Sequence, residues 1–261
     1  MKITLITCLL LVLTGSLPSQ VANAQTANAD QKFLTETRDS YAVLKRQGLL
    51  GFNASVIPNW AVMFKDVPVK DRPGLIRATS RLRFSVEVDA TGNFHVTHSI
   101  NGPKPAKAQA EALDNIAKGV DLSVTGFLMT WSPFMLTYLI PEKLDQFVLQ
   151  DLENQKVLTY KQGEVAVSVV MTKDYEIKEL STPQGSVKPK LRREKTGFVL
   201  TGYEGSNEDP VVGKVIVNGR VELAPVQGFL LPKIVFITGN SGSTPLNIEL
   251  SFVNYRLKRK A

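Results

Sequence analysis

The chain has 261 residues, a formal net charge of +7 and a single cysteine, Cys8. Cys8 lies in an N-terminal segment expected to be removed, which leaves no disulfide framework, no thiol nucleophile and no cysteine-based metal site. The positive charge favours acidic partners such as anionic head groups, phosphate or nucleic acid, and an export signal at the N-terminus argues against nucleic acid.

Lys2 supplies a positive n-region, Ile3 to Leu13 form an apolar h-region of export length, and Ala22-Asn23-Ala24 fits the small-x-small cleavage rule. The expectation is a cleaved signal peptide over residues 1–24, a periplasmic or secreted location and a mature chain of 237 residues. Cys8 stands near the start of the apolar stretch, after Leu5-Ile6-Thr7, and is read as filler rather than as a lipid-modified cysteine. A domain of this size buries about 70–75% of the surface its unfolded chain exposes, without help from disulfides or metals. No Pro/Ser/Gly linker long enough to separate domains interrupts it, so residues 25–261 are read as one domain.

Asp30 to Gln47 predicts an amphipathic helix, with Phe33, Leu34, Thr37, Tyr41 and Leu44 at helical spacing and Gly48 as C-cap. Phe52 to Phe64 is extended and broken by Pro58, and Asp71-Arg72-Pro73-Gly74 reads as a turn. Leu82, Phe84, Val86 and Val88 alternate with polar residues, as do Phe94, Val96, His98 and Ile100, and Asp89-Ala90-Thr91-Gly92 joins the two runs into a hairpin. Pro105 to Lys118 predicts a helix with Ala108, Ala112, Leu113 and Ile116 on one face. Leu122 to Pro141 follows, twenty residues without Asp, Glu, Lys or Arg, and Pro133 predicts that it forms two short helical pieces.

From Leu144 onward the chain reads as strands: Phe147–Leu152, Lys156–Lys161, Glu164–Thr172, Tyr175–Ser181, Lys190–Lys195, Phe198–Glu204, Lys214–Val217, Arg220–Pro225, Leu230–Thr238 and Leu246–Leu257. Asn218-Gly219 predicts a type I′ hairpin turn, and Gln162-Gly163 and Gly239 to Gly242 mark further reversals. No fixed-period repeat is present, which argues against propellers and solenoids. The order predicts an α+β fold, mainly β: a strongly curved antiparallel sheet, an incomplete β-barrel, with helices plugging the concave side. Such a shape naturally encloses an apolar cavity.

Chemistry is sparse. His95 and His98 lie three apart on a strand, so they face opposite sides and cannot chelate one metal together. His98 shares the apolar side with Phe94 and Val96 and reads as a core or cavity-edge histidine. Asp174 and Glu176 form a same-face carboxylate pair, but Lys173 and Lys178 make a charge-balanced strand face the simpler reading. Gly239 to Ser243 lacks the G-x-S-x-G spacing, and no phosphate-binding glycine loop or dinucleotide fingerprint occurs. No catalytic residue, metal site or cofactor is assigned. Two basic clusters, Lys188 to Lys195 and Arg256 to Lys260, read as a solvated strand edge and a frayed tail, with a dedicated anion site as the alternative.

The uncharged run admits three readings: a membrane span, weakened by Pro133 and its hydroxyl residues; a plain core segment; or a cavity wall against an acyl chain. Met129 and Met135 beside Trp131 and Phe134 suit a wall that adapts to flexible chains.

Three features together resemble the periplasmic outer-membrane lipoprotein carriers, the LolA-like superfamily: the opening amphipathic helix, Arg72-Pro73 before the early strands, and Ser132-Pro133-Phe134-Met135-Leu136 followed by Gln146-Phe147-Val148-Leu149. The likeness covers Asp30 to Leu180, while Thr91-Gly92, the long helical insert and the strands beyond Phe198 depart from it. It implies an incomplete barrel closed by helices, a cavity for lipid or lipoprotein acyl chains, and a lid-tethering role for Arg72, whose plain alternative is an exposed turn arginine.

The candidate ligand-binding residues are Trp60, Phe84, Phe94, Phe127, Met129, Trp131, Phe134 and Met135. The expected function is extracytoplasmic binding of lipid or an acylated lipoprotein, with envelope or membrane proteins as further partners and no transmembrane segment after signal cleavage. The alternatives are a non-catalytic envelope interaction module and a secreted hydrolase using a carboxylate pair.

Overall fold

The computed structural model describes residues 27–142, 144, 146–209, 213–242 and 244–260. The expected signal peptide lies outside them. Helix α1 spans Ala27–Asp39, strand β1 Leu49–Pro58, helices α2 and α3 Trp60–Met63 and Arg72–Thr79, and the hairpin β2–β3 Leu82–Asp89 and Phe94–Ile100. Helix α4 runs from Lys107 to Met135. Nine strands follow: β4 Phe147–Asp151, β5 Gln155–Gln162, β6 Val165–Thr172, β7 Ile177–Thr182, β8 Gly185–Glu194, β9 Gly197–Asp209, β10 Gly213–Val226, β11 Phe229–Ser241 and β12 Thr244–Arg259.

All twelve strands belong to one antiparallel sheet, in the order β3-β2-β1-β12-β11-β10-β9-β8-β7-β6-β5-β4, which is not closed into a barrel. Strands β4 to β12 form a meander of sequential neighbours, and β1 adds to the far side of β12, pairing Phe52 with Leu257 and Val56 with Phe252. The edges β3 and β4 are therefore consecutive strands in the chain, and α4 carries the polypeptide from one edge to the other. On its way it packs on β2, β3 and β9. The fold is the mainly β, curved, helix-plugged sheet that the element order predicts.

Period-two patterns become half-buried strands. Leu82, Phe84, Val86 and Val88 are buried while Arg83, Ser85 and Glu87 are exposed. Asp89 fixes the β2–β3 turn by accepting the backbone N–H groups of Thr91 at 2.8 Å and Asn93 at 3.0 Å.

Several local expectations give way. Helix α1 ends at Asp39; Phe33, Leu34, Thr37, Tyr41 and Leu44 are all buried as their spacing implies, but Tyr41 leaves the helix to bridge Phe198 of β9. Gly48, at φ +95°, thus turns the chain into β1 rather than capping a helix. Asp71 is the N-cap residue of α3, and Pro73 sits in its first turn, where a missing N–H costs nothing. The insert is one continuous helix, not two pieces, because Pro133 falls in its last turn. There the helix closes, with the N–H groups of Leu136 and Thr137 both returning to the Ser132 carbonyl.

Asn218-Gly219 is not a turn. Both residues lie inside β10, opposite Thr238 and Ile237. Gly219 lies under the Tyr203 ring, where an added Cβ would stand 2.2 Å from the ring, so an aromatic cross-strand neighbour occupies the side-chain space. The chain reverses instead at Gln227-Gly228, both at positive φ (50° and 95°), as a type I′ turn requires. The later reversal centres on Gly242, with Gly239 to Ser241 still in β11. The first basic cluster lies on β8 beyond its short pairing with β7 at residues 185–187, so residues 188–194 pair with β9 alone and form a free strand edge, as expected. The second is not a frayed tail: Arg256 and Arg259 pair with Asn53 and Leu49 of β1, past the point where β11 stops pairing with β12 at Ser251. Among the described residues no helix is long and apolar enough to cross a membrane.

Candidate functional site

The site expected from the sequence is the interface between α4 and the sheet. The C-terminal half of α4 presents Val124, Phe127, Leu128, Trp131, Phe134 and Met135 to the interior, all buried. Phe127 meets Phe252 of β12 at 5.6 Å between ring centroids, and Trp131 meets Phe52 of β1 edge-on at 6.3 Å. Burying each such aromatic contributes about 1.5–3 kcal/mol. Phe134 packs on Tyr41, and the Met135 sulfur accepts the Leu200 N–H of β9 at 3.2 Å.

Of the candidate ligand-binding residues, the structure brings Phe127, Trp131, Phe134 and Met135 together under the sheet. Trp60 and Phe84 form a neighbouring group, with Trp60 stacked on Phe64 and 6.3 Å from Phe84. Phe94 is half-buried against the core. Met129 faces away, 43% exposed, because it lies on the side of α4 opposite Leu128 and Trp131. Arg72 donates to the carbonyls of Val67 (2.6 Å) and Lys65, which ties the α2–α3 connection to itself.

The interior face of α4 is shut off from solvent: Phe127, Leu128, Trp131 and Met135 have no exposed surface. A small pocket of about 10 Å³, partly open to the surface, lies where α1 meets the end of α4, bounded by Arg38, Tyr41, Pro133, Tyr138 and Ile177. Arg38 reaches over this end of α4 and donates to the carbonyls of Ile140 (3.3 Å) and Pro141, and burial pulls its pKa below the ordinary value. The Tyr41 hydroxyl accepts the Ile177 N–H at 2.8 Å and donates to the Tyr175 carbonyl at 3.1 Å, and burial pushes its pKa up. The Trp131 indole N–H is buried without a hydrogen-bond partner, a costly arrangement that a polar group entering beside it would relieve.

The N-terminal half of α4 is held differently. His98 of β3 faces α4, with Nδ1 2.6 Å from Asp121 and Nε2 3.5 Å from Asp114. Lys118 also pairs with Asp114 at 2.6 Å, and contact with its ammonium holds that carboxyl below the usual range. The second oxygen of Asp121 is buried and unpartnered. Both ring nitrogens of His98 face carboxylates, so neither is placed to take a proton from a hydroxyl nucleophile. The cluster pins helix to sheet. The seven-residue spacing of Asp114 and Asp121, two helical turns on one face, is the sequence signal for it, but nothing local says that His98 is what they meet. His95 is exposed on the other face of β3, and Glu176 pairs with Lys178 at 2.7 Å. Among the described residues no group of three or more His, Cys, Asp or Glu is placed to hold a metal ion.

Comparisons with family models, with curated proteins and with solved structures find no match to this chain.

Proposed function

We propose that this protein is a non-enzymatic extracytoplasmic carrier of an apolar ligand, a lipid or a lipoprotein acyl chain, taken up between the curved sheet and α4. The observation that carries this reading is the uncharged half of α4: a row of aromatic and sulfur side chains buried on the inside of an open sheet, joining its two free edges. Such a face is held by apolar burial, at about 0.8 kcal/mol per CH₂, which an acyl chain supplies equally well. Phe127, Trp131 and Met135 have no exposed surface here, so this conformation is the closed one, and loading requires the C-terminal half of α4 to move off the sheet. Gly119, Gly126 and Pro133, seven apart on one side of α4, weaken the helix along that side. The LolA-like resemblance belongs to the same proposal.

Native mass spectrometry of the protein purified without detergent from an exporting host, followed by organic extraction, tests it. A co-purifying lipid or acylated peptide is the expected result. A clean apo mass, with no uptake of a fluorescent fatty acid, makes α4 a permanent core helix. The closed interior would then favour an envelope interaction module.

A further inference from the structure

We infer that the outer face of strands β8 to β11 carries a binding site for a phosphate-bearing anion. An open cleft of about 630 Å³ lies there, lined by Lys190, Arg192 and Arg220 with one carboxylate, Glu222. It opens where β9 and β10 part beyond the Gly202–Arg220 pair, with Val221 and Leu223 also on its wall, and none of the candidate apolar-ligand residues lines it. Cross-strand pairing fixes the geometry: Lys190 pairs with Gly202, Gly202 with Arg220, and Arg220 with Phe236. These four residues form one row, facing away from the buried Val221–Val235 pair next to it.

Gly202 is the floor. It has no side chain, so Lys190 and Arg220 flank a gap two strand spacings wide, about 10 Å. A Cβ at Gly202 would stand 2.6 Å from the Gly219 carbonyl, so the gap cannot be filled by substitution without moving the backbone. Two bulges shape the cleft. Thr201 is the extra residue between the pairs Lys190–Gly202 and Leu191–Leu200, and its hydroxyl donates to the Lys190 carbonyl at 2.9 Å. Lys233 is the extra residue opposite Glu222 and Leu223. Bulges bend strands and re-aim side chains, which allows cations on an outer face to converge.

The Arg220 guanidinium is pre-organised, with its Cζ 3.9 Å from the Phe236 ring centroid. Every cation here has a carboxylate neighbour: Lys190 with Glu204 at 2.8 Å, Arg192 with Glu194 at 2.7 Å, and Arg220 with Glu222 at 2.9 Å. All three pairs are solvent-exposed and hold at about 0–1 kcal/mol each. A phosphate oxygen set bridging Lys190 and Arg220 makes stronger charge-assisted bonds and displaces them. Glu194 and Glu204 pair with the cations from outside the cleft, so an anion entering it exchanges exposed ion pairs rather than meeting a carboxylate in its way, except at Glu222.

The shared chemistry is a phosphoester anion, either free or as a lipid head group. Calorimetric titration with glycerol 3-phosphate and flotation with phosphatidylglycerol against phosphatidylcholine vesicles separate the sources. Binding of glycerol 3-phosphate identifies a soluble ligand; flotation with phosphatidylglycerol alone identifies a head group at a membrane surface. In either case Lys190→Gln/Arg220→Gln is expected to weaken binding at least tenfold with an unchanged melting temperature. Glu222→Gln, which frees Arg220, is expected to strengthen it, and added salt to weaken it. No binding of either probe, or equal binding by the double variant, overturns the inference.

Discussion

The two halves of α4 are attached to the same sheet by opposite means. Up to Asp121 the helix is charged and is pinned through Asp114 and Asp121 to His98. Beyond it there is no charged side chain, and Phe127, Trp131 and Met135 are fully buried. An ion-paired, hydrogen-bonded cluster demands one geometry, whereas apolar burial is non-directional and tolerates displacement by another apolar body. The polar half thus sets where α4 sits, and the apolar half supplies most of the energy that keeps it there. A helix hinged at its N-terminal half and released at its C-terminal half is the motion this division permits.

The largest effect is expected from Trp131→Ala, a loss of about 3–5 kcal/mol measured by urea unfolding. A loss below about 1 kcal/mol would mean that the apolar half is not anchored as described. At the other half, His98→Ala leaves Asp121 with both oxygens unpartnered and is expected to cost roughly 1–3 kcal/mol, more than Asp121→Ala. A double-mutant cycle showing no coupling between the two would rule out the clamp.

Extremes of pH should separate the halves. Lys118 holds the Asp114 carboxyl below its ordinary range, so its contribution is present above that range and is lost as pH falls through the folded value. Hydrogen exchange in acid should therefore rise first in residues 107–121. The core also holds tyrosines whose protonated form burial favours; Tyr160, which donates to the carbonyl of Leu139 just past α4, and Tyr203 of β9 are both pushed up to about 12. Their contribution is complete below the unfolded value of about 10 and is lost as pH rises towards the folded one. Alkaline unfolding that tracks tyrosine ionisation is the expected readout, and stability constant to about pH 12 would contradict it. The smallest effect belongs to Gly126→Ala, where an added methyl meets nothing within 4 Å. It should stabilise by up to about 1 kcal/mol and, if α4 must loosen to load a ligand, slow uptake of a fluorescent fatty acid.

Much of the fold was legible in the sequence. The alternation in residues 82–100 is the β2–β3 hairpin, and the uncharged run is a buried helical face, because residue-level periodicity and composition are local properties of the chain. The run supplies the buried residues Phe127, Trp131, Phe134 and Met135, but that Met129 points outward was not legible in it, since composition alone does not say which side of a helix meets the sheet.

Tertiary structure alone decided the rest. Asn218-Gly219 carries a turn signature but runs straight through β10, because the Tyr203 ring from a neighbouring strand covers the glycine. His98 meets Asp114 and Asp121 only because α4 passes the β3 edge. Lys190 and Arg220, thirty residues apart, come to flank one glycine through strand register, and the C-terminal basic residues are held in a strand only because β1 pairs with β12. The sequence by itself determined which segments become strands, helices and buried faces, since propensity and periodicity act between near neighbours. Register, edges and charge convergence depend on pairings between distant segments, which no local pattern encodes.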